Sequence, residues 1–343
     1  MQWKKCKALV TGGTSFIGSH LVDALVQKGA IVRVADDLSS GKRENIEPHI
    51  KTGKIEFIQV DLREPGVAPK AVQGTQVVFH LAAAHGGRGY VDLHQAACAE
   101  NLMLDGIVFD ACRRLGVEKM VYASSGCVYP NHLQTKPEEI LYLTENMVGP
   151  PYDADNMYGW AKLMGEMTLK AFYKDHGMKS ASCRYFTVYG PRGHENHAVI
   201  AMIARAFLKQ DPFEVWGNGE QIRNWTYIED IVNGTILAAE KINDGTAVNL
   251  GTMERIRVID AVQMVLDYTG HKPKIRLRPE MPTGPLNRVA DNSLTKKLLG
   301  WEPRVPFREG LRRTIDWYFS TKDPARLKQQ SLERLLTERG IHS

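Results

Sequence analysis

Cysteine is scarce and unpatterned in this chain. There are five, Cys6, Cys98, Cys112, Cys127 and Cys183, and no two stand in a Cys-x-x-Cys spacing. An odd, scattered set argues against a disulfide framework and against a zinc site. It reads as reduced thiols in a cytoplasmic protein. Long apolar runs are also missing, so no membrane span is expected. The basic start (Lys4, Lys5, Lys7) is followed only by Ala8-Leu9-Val10 before the chain turns to glycine, too short for the core of a secretory signal. Neither sign of charge is in large excess. The net charge is +5 with Lys and Arg scattered, which indicates no nucleic-acid surface but suits a phosphorylated small molecule. Repeats and low-complexity tracts are absent. What remains is an ordinary globular composition over 343 residues, enough for a large core and roughly two domains.

Strand-like runs at Lys7–Thr11, Ile31–Ala35, Ile55–Val60, Val77–Leu81, Lys119–Ala123 and Ser180–Tyr185 are interspersed with helical patterns. The helices are expected at Ser19–Lys28, Gln95–Leu115 and Tyr158–His176, each closed by a glycine. Such alternation predicts an α/β fold, a Rossmann-type doubly wound parallel sheet covered on both faces. After Gly190-Pro191 the pattern changes. A helix over Ala198–Lys209, a short strand over Phe213–Trp216, a helix over Val258–Tyr268 and a strand over Lys274–Arg278 suggest a smaller, mixed α/β domain. The expected division is residues 1–186 with about 226–252 for the sheet domain, and 187–225 with 253–320 for substrate. Residues 321–343, charged and without a deep apolar stripe, read as a peripheral helical tail.

Thr11-Gly12-Gly13-Thr14-Ser15-Phe16-Ile17-Gly18 joins the first strand to the first helix. Glycines there let backbone approach a pyrophosphate, and the helix N-terminus attracts its charge. Asp36-Asp37 follow the second strand, eighteen residues beyond Gly18. A carboxylate in that place accepts from ribose hydroxyls and repels a 2′-phosphate, which favours NAD over NADP. Asp61, after the third strand, is placed to reach the adenine.

Two further motifs carry chemistry. Ser124-Ser125-Gly126-Cys127-Val128-Tyr129-Pro130 ends the fifth strand, and Tyr158-Gly159-Trp160-Ala161-Lys162 opens a helix. A free tyrosine, at about 10, is a poor base near neutrality. Lys162 lies one helical turn on, on the same face, where its charge favours the phenolate. A cysteine in the same strand-end turn can exchange protons after a modest lowering of its pKa. It can equally be a small buried hydrophobe.

Together these residues resemble the extended short-chain dehydrogenase/reductases of the NAD-dependent epimerase/dehydratase group. The matching pieces are Thr11–Gly18, Phe79–Ala83, Ser124–Tyr129, Tyr158-x-x-x-Lys162, Arg184–Pro191, Arg223–Asp230 and Leu299–Pro303, over roughly residues 7–318. One departure is Ser15, which stands where the family usually has its middle glycine. The resemblance implies bound NAD contacted by Gly12, Ser15, Phe16, Ile17, Gly18, Asp36, Asp37, Asp61, Leu62, Leu81, Ala82, Ala83, Asn101, Tyr158 and Lys162. It implies a nucleotide-diphosphate sugar as substrate, a transient ketone at C4, and a homodimer built on the Gln95–Leu115 and Tyr158–His176 helices.

Within the group, the loop His85-Gly86-Gly87-Arg88 and the cysteine before Val128-Tyr129-Pro130 are similar to the GDP-mannose 3,5-epimerases. That similarity implies Ser125, Cys127, Tyr158 and Lys162 as catalytic residues. It implies Gly87, Arg88, Thr187, Arg223 and Arg288 on the substrate. The loop where those enzymes carry a lysine here holds His194 and His197, and His197 is the candidate acid/base opposite Cys127. A metal held by these two histidines is not expected, because no further ligand is evident. Thr187 is commoner in uronate 4-epimerases, so a UDP-sugar or UDP-uronate 4-epimerase using only Tyr158 and Lys162 stays open. A non-catalytic NAD-sensing module is the third reading, though such proteins typically lose the Tyr-Lys pair.

Overall fold

The computed structural model describes residues 2–329 and 332–338. Seven strands, β1 (Lys7–Thr11), β2 (Ile31–Asp36), β3 (Ile55–Gln59), β4 (Val77–His80), β5 (Lys119–Ser125), β6 (Ser180–Tyr185) and β7 (Asp244–Leu250), form one sheet in the order β7-β6-β5-β4-β1-β2-β3. Every pairing is parallel. All residues of β5 and β6 are buried, which demands cover on both faces.

That cover comes from helices on each side. On one face lie α1 (Phe16–Gln27) and α5 (Ile228–Lys241). On the other lie α2 (Asn101–Arg114) and α3 (Asn156–His176). Successive strand residues serve opposite faces. Val10, Phe79 and Val121 join the core of the first face, while Leu9, Val78, Met120 and Tyr122 join that of the second. Strand order reverses between β1 and β4, whose last residues Thr11 and His80 are register partners. A crevice at the strands' C-terminal ends therefore opens at this switch point.

The smaller part contains α4 (Ala198–Phe207), α6 (Val258–Thr269), α7 (Phe307–Thr321) and three small sheets. Ile222–Arg223 is the central strand of one, between Ile256–Arg257 and Asn287–Arg288. This pairing brings Arg223 beside Arg288 in register.

Four differences from the sequence expectation bear on the site or its surroundings. Helix α1 starts at Phe16, ahead of Ser19, because Ser15 is already extended and serves as its N-cap. The helix expected over Gln95–Leu115 is two helices, Gln95–Ala99 and α2. Strand β7 was not anticipated. A register shift between Asp244 and Ala247, with Gly245 at φ +75, breaks the alternation that marks a strand. In the tail, Leu327 and Leu335 are buried at 1% and 3% exposure, although the sequence shows no deep apolar stripe there. Two leucines eight residues apart are too sparse to register as a periodic face. Residues 330, 331 and 339–343 of that tail lie outside the described residues.

Candidate active site

Every residue singled out above as a site candidate lines one cavity of about 800 Å³, which runs from the β1–β4 switch point into the smaller part. That capacity lies in the upper part of the range for ligand sites.

At its inner end is the glycine loop. Gly12 has φ +69, and a Cβ there would meet the Ala82 amide nitrogen at 2.8 Å, so both the turn and the close strand approach require glycine. Ser15 has φ −82 and ψ −177, ordinary extended backbone, so replacing the usual glycine costs the turn nothing. Its hydroxyl faces His194 Nε2 at 3.5 Å. Asp36 accepts from the amides of Thr14 (3.0 Å) and Leu38 (2.9 Å). Burial pushes its carboxyl up, against the pull of those donors. Each carboxylate oxygen keeps a further acceptor site. Asp37 caps its own turn through the Ser39 amide. Asp61 is gripped by Arg63, which holds its carboxyl below the ordinary value. Asn101 clamps the Ala84 backbone with two hydrogen bonds, fixing the strand end beside Leu81, Ala82 and Ala83.

Tyr158 and Lys162 project from the first turns of α3, both buried. The Lys162 ammonium sits 5.8 Å from the Tyr158 ring and 4.6 Å from the Tyr122 ring. Burial pushes the phenol well above its ordinary value, against a hydrogen bond from Ser125. Burial pulls Lys162 down. Ser125 Oγ also accepts the Cys127 amide at 3.1 Å, which sets the turn carrying the thiol. Cys127 is half-buried, and its Sγ accepts a hydrogen bond from Arg288 Nη1 at 3.2 Å.

Arg288 is itself aimed by Gln134 (2.8 Å) and Asp155 (3.0 Å). Asp155 also receives Arg88 at 2.8 Å. Burial works against charge on Arg88, but Asp92 and Asp155 outweigh it. Arg223 donates to the Ile222 and Thr283 carbonyls, and burial beside Arg288 and Arg88 pushes it down to about 9. Three guanidiniums thus converge where Asp155 and Asp92 balance only part of their charge, the arrangement a diphosphate needs. Gly87 lies hard against the Asn196 carbonyl, which a Cβ would meet at 1.6 Å. It therefore shapes the wall by admitting the histidine loop. Thr187, at the start of the Thr187–Tyr189 strand, faces the cavity.

His197 caps α4 and contacts the rings of Phe16, His85 and His194. Burial pushes it down to about 4, and His194 down to about 3, so both imidazoles are neutral near pH 7. Among the described residues, no group of three or more His, Cys, Asp or Glu is placed to hold a metal ion.

Several residues in or beside the cavity were not read from the sequence as site members. His85 stacks on Tyr158 with ring centroids 4.7 Å apart. Asp155 organises two arginines. Arg205, buried and lowered to about 10 by burial, lines the outer end with Nε unpartnered. None carries a motif signal; only its loop drew His85 into notice.

The NAD fit can be tested on the chain itself. A glycine cradle at a helix start, an acceptor carboxylate at the β2 tip and a Tyr-Lys pair across the same crevice match the group's pyrophosphate, ribose and nicotinamide. Comparison with known proteins agrees. GDP-mannose 3,5-epimerase from Arabidopsis thaliana is 34% identical over 318 residues, 91% of this chain and 81% of the relative. GDP-mannose 3,5-epimerase 1 from Oryza sativa subsp. japonica is 32% identical over 321 residues, 92% of this chain and 82% of the relative. The solved UDP-glucuronic acid 4-epimerase from Bacillus cereus, in complex with UDP-glucuronic acid and NAD, superposes with a TM-score of 0.82. It is 28% identical and covers 92% of this chain and 100% of its own. With the NAD dependent epimerase/dehydratase signature matching residues 8–251, the chain belongs to that family, as an NAD-dependent enzyme of the nucleotide-sugar epimerase type.

Proposed function

We propose that the chain is a 3,5-epimerase of the GDP-mannose type. The observation that carries this reading is the Cys127 thiol, half-open to the Tyr158 cavity and receiving a hydrogen bond from Arg288. A 4-epimerase needs no such group.

Bound NAD supplies reversible oxidation at C4 of the sugar. Tyr158 takes the proton of the C4 hydroxyl and later returns it, with Ser125 hydrogen-bonded to the phenol and Lys162 charged beneath it. With C4 as a ketone, the hydrogens on C3 and C5 are acidic. His197, neutral at pH 7, takes such a proton from one face. Cys127 gives one to the other, and the Arg288 N–H steadies the thiolate left behind. Arg88, Arg223 and Arg288 hold the diphosphate.

The second reading, a UDP-uronate 4-epimerase, is supported by Thr187 and by the likeness to the Bacillus cereus enzyme. Incubation with GDP-mannose in D₂O separates the two. The first reading expects deuterium at C3 or C5, lost by about 10²-fold or more in Cys127→Ser. Conversion of a UDP-uronate with no carbon-bound deuterium, and indifference to Cys127→Ser, would overturn it.

A further inference from the structure

Lys162 has an unusual setting for a catalytic ammonium. It is 1% exposed, and Nζ has no hydrogen-bond partner. Two buried carboxylates flank its surroundings. Glu166, one turn further along α3, is already neutralised by Arg184, which donates Nε (2.9 Å) and Nη2 (2.8 Å) to its two oxygens. Asp105 is the other. It lies on α2, is 3% exposed, and accepts from His80 Nε2 at 3.0 Å and the Tyr122 hydroxyl at 2.5 Å.

The tautomer of His80 follows from its other side. Thr11 Oγ1 already accepts from the Leu81 and Ala82 amides, at 3.1 Å each. Its own proton is therefore free for His80 Nδ1 at 2.7 Å, and the ring donates from Nε2. The chain Thr11–His80–Asp105–Tyr122 thus begins in the strand ends that wall the cofactor crevice. It finishes at the ring on which Lys162 rests. Gly165 lets α3 ride this close, since a Cβ there would meet the Tyr122 hydroxyl at 2.5 Å.

We propose that Asp105 is the counter-ion of Lys162, a positioning residue that keeps the ammonium charged beneath Tyr158 and ties it to the β1–β4 wall of the cofactor crevice. An ammonium this deep loses its proton unless a negative charge faces it. The groups facing it are Asp105 from α2, Tyr122 from β5 and Tyr158 on its own helix. Behind them stand His80, Cys98, Cys127 and the Glu166–Arg184 pair. Of these, Glu166 has an arginine of its own, whereas Asp105 is salt-bridged to neither arginine nor lysine. The charge of Asp105 raises Lys162 against burial, and that of Lys162 lowers Asp105. The inference rests on Tyr158 and Lys162 being the family's pair, and not on which sugar is bound.

The test needs no substrate. On the NAD-loaded enzyme, Lys162 is titrated by NMR of carbon-labelled lysine, its signal assigned with Lys162→Met. Asp105→Asn, which keeps the shape and the bond from His80 but must reverse the one with the Tyr122 hydroxyl, should lower the titration midpoint of Lys162 by about 1–2 pH units. The alkaline limb of kcat should move the same way, while Asp105→Glu restores both. A midpoint in Asp105→Asn within a few tenths of the native value would overturn the proposal, whatever happens to the melting temperature. Should Asp105→Asn not fold, Tyr122→Phe decides. It keeps the carboxylate and frees one of its oxygens, so the midpoint must hold or rise; a fall overturns the proposal.

Discussion

Residue by residue, the site is governed by burial more than by charge. His194 and His197 show it most directly. Their folded values, about 3 and about 4, lie below the ordinary 6.5. As pH falls below 6.5 the unfolded chain takes up protons that the folded chain refuses. Their stabilising contribution is therefore complete above about 6.5 and is lost progressively towards 4. Half-buried His20 is shifted the same way by desolvation and adds to the slope. Thermal melts from pH 7 to 4.5 should show a falling melting temperature before most carboxylates titrate. The double variant His194→Gln/His197→Gln should flatten that fall. An unchanged slope would mean that these imidazoles reach water in the folded protein.

Elements decide which of these residues could be foreseen. Tyr158, Lys162 and Cys127 were legible because their chemistry is written over five residues of helix or three of turn. Asp105 was not, because it meets His80 only through the pairing of β1 with β4 and the return of α2 across the sheet. Asp155 meets Arg288 across 133 residues for a similar reason. The tail gives the strongest case. Glu195, in the histidine loop, is 4% exposed and receives the Tyr318 hydroxyl at 3.1 Å and Lys322 Nζ at 2.8 Å, both from α7 or its end. The Glu338 carbonyl accepts from Asn196 at 3.0 Å, so the chain's end also borders this loop. Burial alone would raise Glu195, and Lys322 holds it down. Lys322→Met leaves that carboxylate buried with the Tyr318 hydroxyl and the charge of Lys42, and should cost about 3 kcal/mol in denaturant unfolding. Adding Glu195→Gln should recover most of the loss. Failure of the second change to rescue would assign the effect to packing of the lysine stem against Trp317 and Tyr318.

The whole molecule adds a face that one chain leaves uncovered. Helices α2 and α3 pack side by side, yet Leu102, Met103, Trp160 and Met164 are exposed at 42%, 52%, 38% and 45%. Trp160 and Met164 stand four residues apart, on one side of α3, while Tyr158 and Lys162 occupy its buried side. An apolar patch on two parallel-packed helices suits a second copy of the same pair, because a two-fold axis sets each patch against itself and closes. We expect the native chain to sediment as a dimer and Trp160→Glu/Met164→Glu as a monomer of unchanged circular dichroism; a monomeric native protein would refute this. The consequence reaches the chemistry. Helix α3 carries the proposed acid/base pair on one side and the candidate interface on the other. Its placement over Tyr122 and Asp105 is therefore held from both sides only in the dimer. The monomeric variant should accordingly lose activity through kcat rather than through KM, since the arginines that would grip the diphosphate lie on other elements.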